Sequence, residues 1–197
     1  MSKALLLSGG MDSIALAYWK RPSMAITIDY GQLAAETEIR TSKVVANLLE
    51  IDHHIVTVDC RLLGSGDLLN SESLAFSPSS EWWPFRNQLL VTLGLMKSIK
   101  LGISELMVAS VKSDGFHKDG TSEFYEDINR LSTYQEGNIM VTAPCIKLNT
   151  VELIKIANVP KSILFWAHSC HKSNIACGTC RGCLKYTQVI NELFYDD

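Results

Sequence analysis

Several things are missing from these 197 residues, and each absence removes a class of function. No apolar run reaches the roughly 18 residues of a membrane span, and the first residues lack the apolar core and cleavage site of a signal peptide. The expectation is a cytoplasmic protein with no membrane partner. Surplus positive charge is missing too: 18 Lys and Arg against 21 Asp and Glu give a net charge of −3, which argues against a dedicated nucleic-acid binder. There is no internal repeat and no low-complexity tract, so solenoids and disordered arrays drop out. What remains, 47% hydrophobic and 20% charged residues, is ordinary globular composition. The length suits one sizeable core with a small appendage. In a reducing compartment, six cysteines are poor candidates for disulfides.

The first strong feature is Lys3-Ala-Leu-Leu-Leu-Ser8-Gly9-Gly10-Met11-Asp12-Ser13. Lys3 to Leu7 reads as a strand buried on both faces, and Met11 to Lys20 as a helix. A strand, a glycine turn and a helix N-terminus make an anion site, because backbone N–H groups point outward and the helix dipole adds positive potential. Ser8 and Ser13 add hydroxyl donors. The spaced glycines and Gly-Lys-Ser/Thr ending of a Walker A loop are absent, as is a dinucleotide fingerprint. A plain strand–turn–helix corner needs only the two glycines and explains neither the serines nor the acid. The expected guest is a phosphate or pyrophosphate.

The rest alternates strand and helix. Met24 to Asp29 reads as a strand, Leu33 to Glu50 as an amphipathic helix and His54 to Asp59 as a strand, with His53 and His54 as polar residues on opposite faces. Cys60 to Phe85 loses periodicity and ends in Trp82-Trp83-Pro84-Phe85. Such a loop is a lid, a binding loop or an anchor, and its tryptophans could stack on a heterocycle or pin it to the core. Arg86 to about Lys100 reads as a helix with Leu89, Leu90, Leu93, Met96 and Ile99 near one face. Glu105 to Val111 is a strand, followed by a polar connection, Lys112 to Thr121, at its carboxyl end. A helix at Ser122 to Ser132 and a strand at Ile139 to Ala143 follow. Asn149 then caps a helix to about Ala157 in a capping box with Glu152, and Pro160 restarts a short one through Trp166. The pattern predicts an α/β fold, a doubly wound parallel sheet, with residues 1–160 as its nucleotide-binding domain.

Residues 161–197 carry the second strong feature. Cys170, Cys177, Cys180 and Cys183 form C-x6-C-x2-C-x2-C with Gly178 and Gly182 between them, a spacing suited to a closed tetrahedral zinc site. Short cysteine spacing also serves iron–sulfur clusters. A closed four-thiolate site has no position for water, so zinc there is structural and pins a last helix, Leu184 to about Tyr195. His168 and His171 flank the cysteines. Cys145 is either a strand-end nucleophile or a small core residue.

Taken together, the loop and the cysteines resemble one family. The chain is similar to 7-cyano-7-deazaguanine synthases, the QueC family of the PP-loop ATP pyrophosphatase superfamily, over nearly its whole length. The resemblance rests on Ser8 to Ser13, Asp29-Tyr30-Gly31-Gln32, Pro84-Phe85-Arg86-Asn87, Glu123-Phe124, Ala143-Pro144 with Leu148, and the cysteine knuckle. It implies an adenine nucleotide alpha-hydrolase-like fold with a small C-terminal zinc-bound helical region. It also implies an ATP-dependent carbon–nitrogen ligase that activates 7-carboxy-7-deazaguanine by adenylation and converts it with ammonia to the nitrile. ATP, magnesium and zinc are the implied cofactors. Leu7, Ser8, Gly9, Gly10, Met11, Asp12, Ser13 and Asp29 are the implied nucleotide site, with Asp12, Ser13 and Arg86 as the catalytic set. A homodimer is compatible with the resemblance.

The chain departs from the family pattern at Leu33-Ala34-Ala35, at His117-Lys118-Asp119-Gly120-Thr121 and at Thr150. Two other readings therefore stand beside the synthase. One is a QueC-like paralogue, as in bacterial defence clusters, that attaches the activated deazaguanine to a protein or nucleic acid. The other is a zinc-stabilised nucleotide-binding module without turnover.

Overall fold

In the computed structural model, which describes residues 2–195, the chain runs β1 (Lys3–Leu6), α1 (Met11–Lys20), β2 (Met24–Asp29), α2 (Ala35–Leu48), β3 (Asp52–Thr57), α3 (Arg86–Lys100), β4 (Glu105–Met107), α4 (Ser122–Tyr134), β5 (Met140–Thr142), α5 (Thr150–Ala157), α6 (Lys161–Leu164) and α7 (Arg181–Phe194). All five strands are parallel, in the order β3-β2-β1-β4-β5. β1 is central, pairing Leu5 with Ala25 on one side and with Met107 on the other. Its continuous apolar run follows from that place, since Ala4 and Leu5 are fully buried on opposite faces. The chain leaves β1 toward β2 and later returns on the other side through β4. That reversal opens a crevice at the carboxyl ends of β1 and β4, which is where ligands bind in such sheets.

Two apolar layers cover the sheet. Leu5, Leu7, Ile14, Leu16, Leu153, Ile154, Leu164 and Val189 join α1, α5, α6 and α7 on one face. Ala4, Ile26, Ile28, Val91, Leu106, Tyr125 and Ile128 join α3 and α4 on the other. Each fully buried Leu or Ile contributes about 1.5–3 kcal/mol, so both layers are needed to outweigh chain entropy. α7 is thus built into the same core as α1 and α5. Among the described residues, no helix is long and apolar enough to cross a membrane.

Local signals fixed several boundaries. The Asn149 side chain accepts from the Glu152 N–H and the Glu152 carboxylate accepts from the Asn149 N–H, both at 2.8 Å, so the expected capping box starts α5. α3 spans the residues its composition indicates, but its buried stripe is Val91, Gly94 and Ser98, while Met96 and Ile99 lie 60% and 58% exposed. The small residues let the helix lie low on the sheet, which turns the bulkier pair outward. β3 starts two residues before the sequence expectation and β4 is only three residues long. His53 faces Thr27 Oγ1 at 2.8 Å and His54 faces Asp52 at 3.0 Å, so each histidine has its own polar partner.

Candidate active site and cysteine cluster

The crevice holds a cavity of about 910 Å³, lined by the β1–α1 loop, by Tyr30 after β2, by Ser110, Ser113, Asp114 and His117 after β4, by the first half of α3, by the start of α5 and by one face of α7. Ser8, Gly10, Met11, Asp12 and Ser13 all border it. α1 starts without a side-chain cap, and its first intrahelical bond is Ile14 N–H to Gly10 C=O at 3.0 Å. The N–H groups ahead of that bond therefore face the cavity edge with their dipole aligned. Ser13 Oγ donates to Gly10 C=O at 2.9 Å and lies 3.2 Å from Ser8 Oγ, which ties the loop's two ends together. Gly9 has φ +76, and a Cβ there would crowd the Glu38 carbonyl at 3.1 Å and Thr41. Gly9 itself lies behind the loop, where its carbonyl accepts from the His168 N–H at 2.9 Å. Leu7 borders the cavity at the strand end.

Charged groups surround this loop. Lys185 Nζ donates to Asp12 Oδ2 at 2.9 Å, while Asp12 Oδ1 is buried with no hydrogen-bond partner. Arg86 lines the cavity and has no ion-pair partner among the described residues. Its helix begins after Phe85, a non-glycine residue at φ 55; strain of that kind gathers at functional sites. Glu38 also lines the cavity. Burial pushes its carboxyl up from the ordinary 4.5 to about 7, against the opposing pull of a 2.7 Å bond from Gln32 and of the Arg86 charge. Burial likewise raises Asp114, with Lys185 pulling the other way. Glu81 is buried yet lies below its usual value, because bonds from its own backbone, Arg181 and Ser79 outweigh the burial. Arg181 Nη1 sits 2.6 Å from it and His117 Nε2 3.7 Å.

The four cysteines converge beside this cavity, with all four Sγ atoms within 4.8 Å of one another. Cys177 and Cys183 are 3.9 Å apart and Cys180 and Cys170 4.0 Å. Four ~2.3 Å Zn–S bonds at tetrahedral angles put sulfurs about 3.8 Å apart, so the cluster is of a size to hold zinc. Backbone N–H groups of Thr179 and Cys180, with the Thr179 hydroxyl, point at Cys177 Sγ and hold its thiol down at about 5, favouring the thiolate. Cys180 is also the N-cap of α7, its sulfur accepting from the Cys183 N–H at 3.5 Å. Gly182 serves packing and makes no turn: it lies inside α7, where a Cβ would run into the Ser169 carbonyl. His168 Nε2 donates to Ser173 C=O at 2.9 Å, and neither it nor His171 belongs to the four-sulfur group.

The crevice gathers most of the residues the sequence singled out, and it leaves some aside. Asp29 is not among the lining residues; its Oδ1 accepts from the Gly31 N–H at 3.0 Å and shapes the turn that presents Tyr30. Trp83 is buried and packs edge-on against Tyr30 at 4.9 Å, while Trp82 packs on Phe76 at 5.7 Å, so the tryptophans anchor their loop and do not border the cavity. Of His117 to Thr121, only His117 lines it; Asp119 instead accepts from the Asn87 N–H at 3.2 Å. Cys145 is fully buried and burial pushes its thiol to about 12, which suits a core residue and not a nucleophile. Glu38, Glu81, Asp114, Arg181 and Lys185 were missed. A heptad-like reading of α7 places Arg181 and Lys185 four apart on one face, but nothing local says what that face meets.

A family model described as "Queuosine biosynthesis protein QueC" matches residues 3–193. The chain belongs to the QueC family. Relatives named 7-cyano-7-deazaguanine synthase include one from Methanococcus maripaludis (strain S2), 25% identical over 222 residues covering 98% of this chain and 95% of the relative. Another, from Methanosarcina barkeri (strain Fusaro), is 28% identical over 211 residues covering 94% and 91%. Among solved structures, NMN synthetase from Francisella tularensis matches with a TM-score of 0.47 at 16% identity, covering 100% of this chain and 78% of that one. The segment that carries the cysteines is joined directly to the β1–α1 loop, through the His168 N–H and the Gly9 carbonyl.

Two predictions come from this geometry. Elemental analysis should find about one zinc per chain, and Cys180→Ser should lose it and lower Tm by at least about 10 °C. Iron with acid-labile sulfide, or a full-stability variant, would contradict this. Separately, Glu38 keeps a proton in the folded chain between 4.5 and about 7 that the unfolded chain has released, so its contribution to stability falls as pH rises through that window. Glu38→Gln should flatten the fall in urea midpoint between pH 5 and pH 8 and exceed the parent at pH 8. An unchanged pH profile would show that Glu38 is not held this way.

Proposed function

We propose that this chain is an ATP-dependent carbon–nitrogen ligase that converts 7-carboxy-7-deazaguanine and ammonia to 7-cyano-7-deazaguanine. The observation that carries the reading is the uncapped start of α1, with its serines and Asp12, opening on a cavity of about 910 Å³ in a chain that matches the QueC model over residues 3–193. A carboxylate resists amines because oxide is a poor leaving group. ATP supplies the remedy, replacing that oxide with AMP for amide formation and again for dehydration to the nitrile.

The residues then have defined work. N–H groups of Gly10 to Ser13 and the hydroxyls of Ser8 and Ser13 bind the pyrophosphate portion, with Leu7 and Gly9 setting the loop's shape. Asp12 Oδ1, buried and without a protein partner, is the oxygen suited to magnesium. Arg86 holds phosphate or the substrate carboxylate from the opposite wall. Tyr30, Leu90 and Val91 give the cavity an apolar side that keeps water from the activated carbon. The four cysteines would hold a structural zinc, and Cys180 and Cys183 would tie it to the start of α7, the helix from which Arg181 and Lys185 reach the cavity.

The test is direct. Purified protein incubated with ATP and 7-carboxy-7-deazaguanine should release AMP and pyrophosphate and yield the nitrile only when ammonia is present. Asp12→Ala and Ser13→Ala should lower that release by about 100-fold or more while leaving the melting transition in place. Undiminished release from the folded variants, or deazaguanine recovered as an adduct on protein or nucleic acid in place of free nitrile, would overturn the synthase reading.

A further inference from the structure

Asp12 poses a problem that the loop alone does not solve. A carboxylate in the first turn of α1 suits the helix dipole, yet it stands where a polyanion is to bind, and two negative charges at contact distance repel strongly in a half-buried site. A cation has to sit between them. Arg181 is committed to the buried Glu81 at 2.6 Å, and Arg86 lines the cavity from the start of α3 without pairing with Asp12. The cation at the loop is Lys185, 2.9 Å from Asp12 Oδ2 and lining the same cavity. Its ammonium has three donors, and the structure assigns one to Asp12.

We propose that Lys185 is a phosphate-binding residue of the site, bridging Asp12 and the pyrophosphate portion of ATP with its remaining donors. This rests on the ATP-dependent reading above. The bridge also explains why the cysteine cluster stands where it does. Lys185 lies two residues past Cys183 on a helix capped by Cys180, so the cluster fixes the first turn of the helix that carries Lys185 to the nucleotide loop. Asp12 Oδ1 is left free for a divalent cation, and the two oxygens of one carboxylate divide the counter-charges between them.

Lys185→Met removes the charge and keeps the stem; Lys185→Arg keeps the charge. The methionine variant should release pyrophosphate about 100-fold more slowly and bind a non-hydrolysable ATP analogue with magnesium more weakly by calorimetry. Its KM for 7-carboxy-7-deazaguanine should stay within about threefold, and the arginine variant should recover most of the loss. Independently of any variant, that ATP analogue should protect Lys185 of the unmodified protein from an amine-acylating reagent, read by mass spectrometry, with exposed Lys100 labelled equally in both conditions. A parent that binds the analogue while Lys185→Met matches it in affinity and rate, or while Lys185 labels equally with and without the analogue, overturns the role of Lys185 alone. A parent that binds no ATP analogue overturns the ligase reading and this one with it.

Discussion

Backbone N–H groups at the start of α1 have no carbonyl four residues back to bond, and no side chain caps them. Everything else about the site follows from that constraint. The sheet must end there, so β1 is central and buried on both faces. The strand order must reverse there, so a crevice opens above the loop. The loop must turn sharply beneath α2, so Gly9 adopts φ +76 with the Glu38 carbonyl close behind it. Concentrated donors at a helix start in a partly apolar cavity favour an anion with several oxygens.

The second organising element is the cysteine cluster, and its place in the fold makes it more than a local staple. Through the His168 N–H it holds the carbonyl of Gly9, and through Asn174 it holds both the N–H and the hydroxyl of Thr37 on α2. Lys172 reaches Asp67 at 3.1 Å and Arg181 reaches Glu81, so the long loop before α3 is fastened to the same knuckle. Metal affinity in such a cluster is folding energy. The nucleotide loop, α2, the long loop and α7 therefore depend together on four sulfurs contributed by fourteen residues of chain.

Much of this was legible in the sequence because the decisive signals are local. Ser8 to Ser13 contains its own strand end, turn and helix start, and the cysteine spacing contains its own knuckle. The capping box at Asn149 and Glu152 works within one helical turn. What was not legible depends on where distant segments meet. Asp12 and Lys185 are separated by 173 positions, and Glu81 meets Arg181 across 100. Trp82 and Trp83 offered stacking and anchoring equally as sequence; the burial of Trp83 against Tyr30 decides for anchoring. Asp29 stands in a strand-end motif that suits a ligand contact, and in the structure its Oδ1 accepts from the N–H of Gly31 two residues on, outside the cavity lining. The buried stripe of α3 was misplaced because side-chain size suggested Met96 and Ile99, whereas close approach to the sheet selected the small residues.

The central claim is that this crevice activates a carboxylate by transferring AMP to it, which is a statement about which bond to phosphorus forms. Substrate carrying oxygen-18 in its carboxylate resolves it in one experiment. Attack at the α-phosphorus, with the loop gripping the pyrophosphate, leaves one labelled oxygen in the AMP recovered after reaction with ammonia. Label found in inorganic phosphate, with ADP as the nucleotide product, would mean attack at the γ-phosphorus and would contradict the assignment of Ser8 to Ser13 as a pyrophosphate grip.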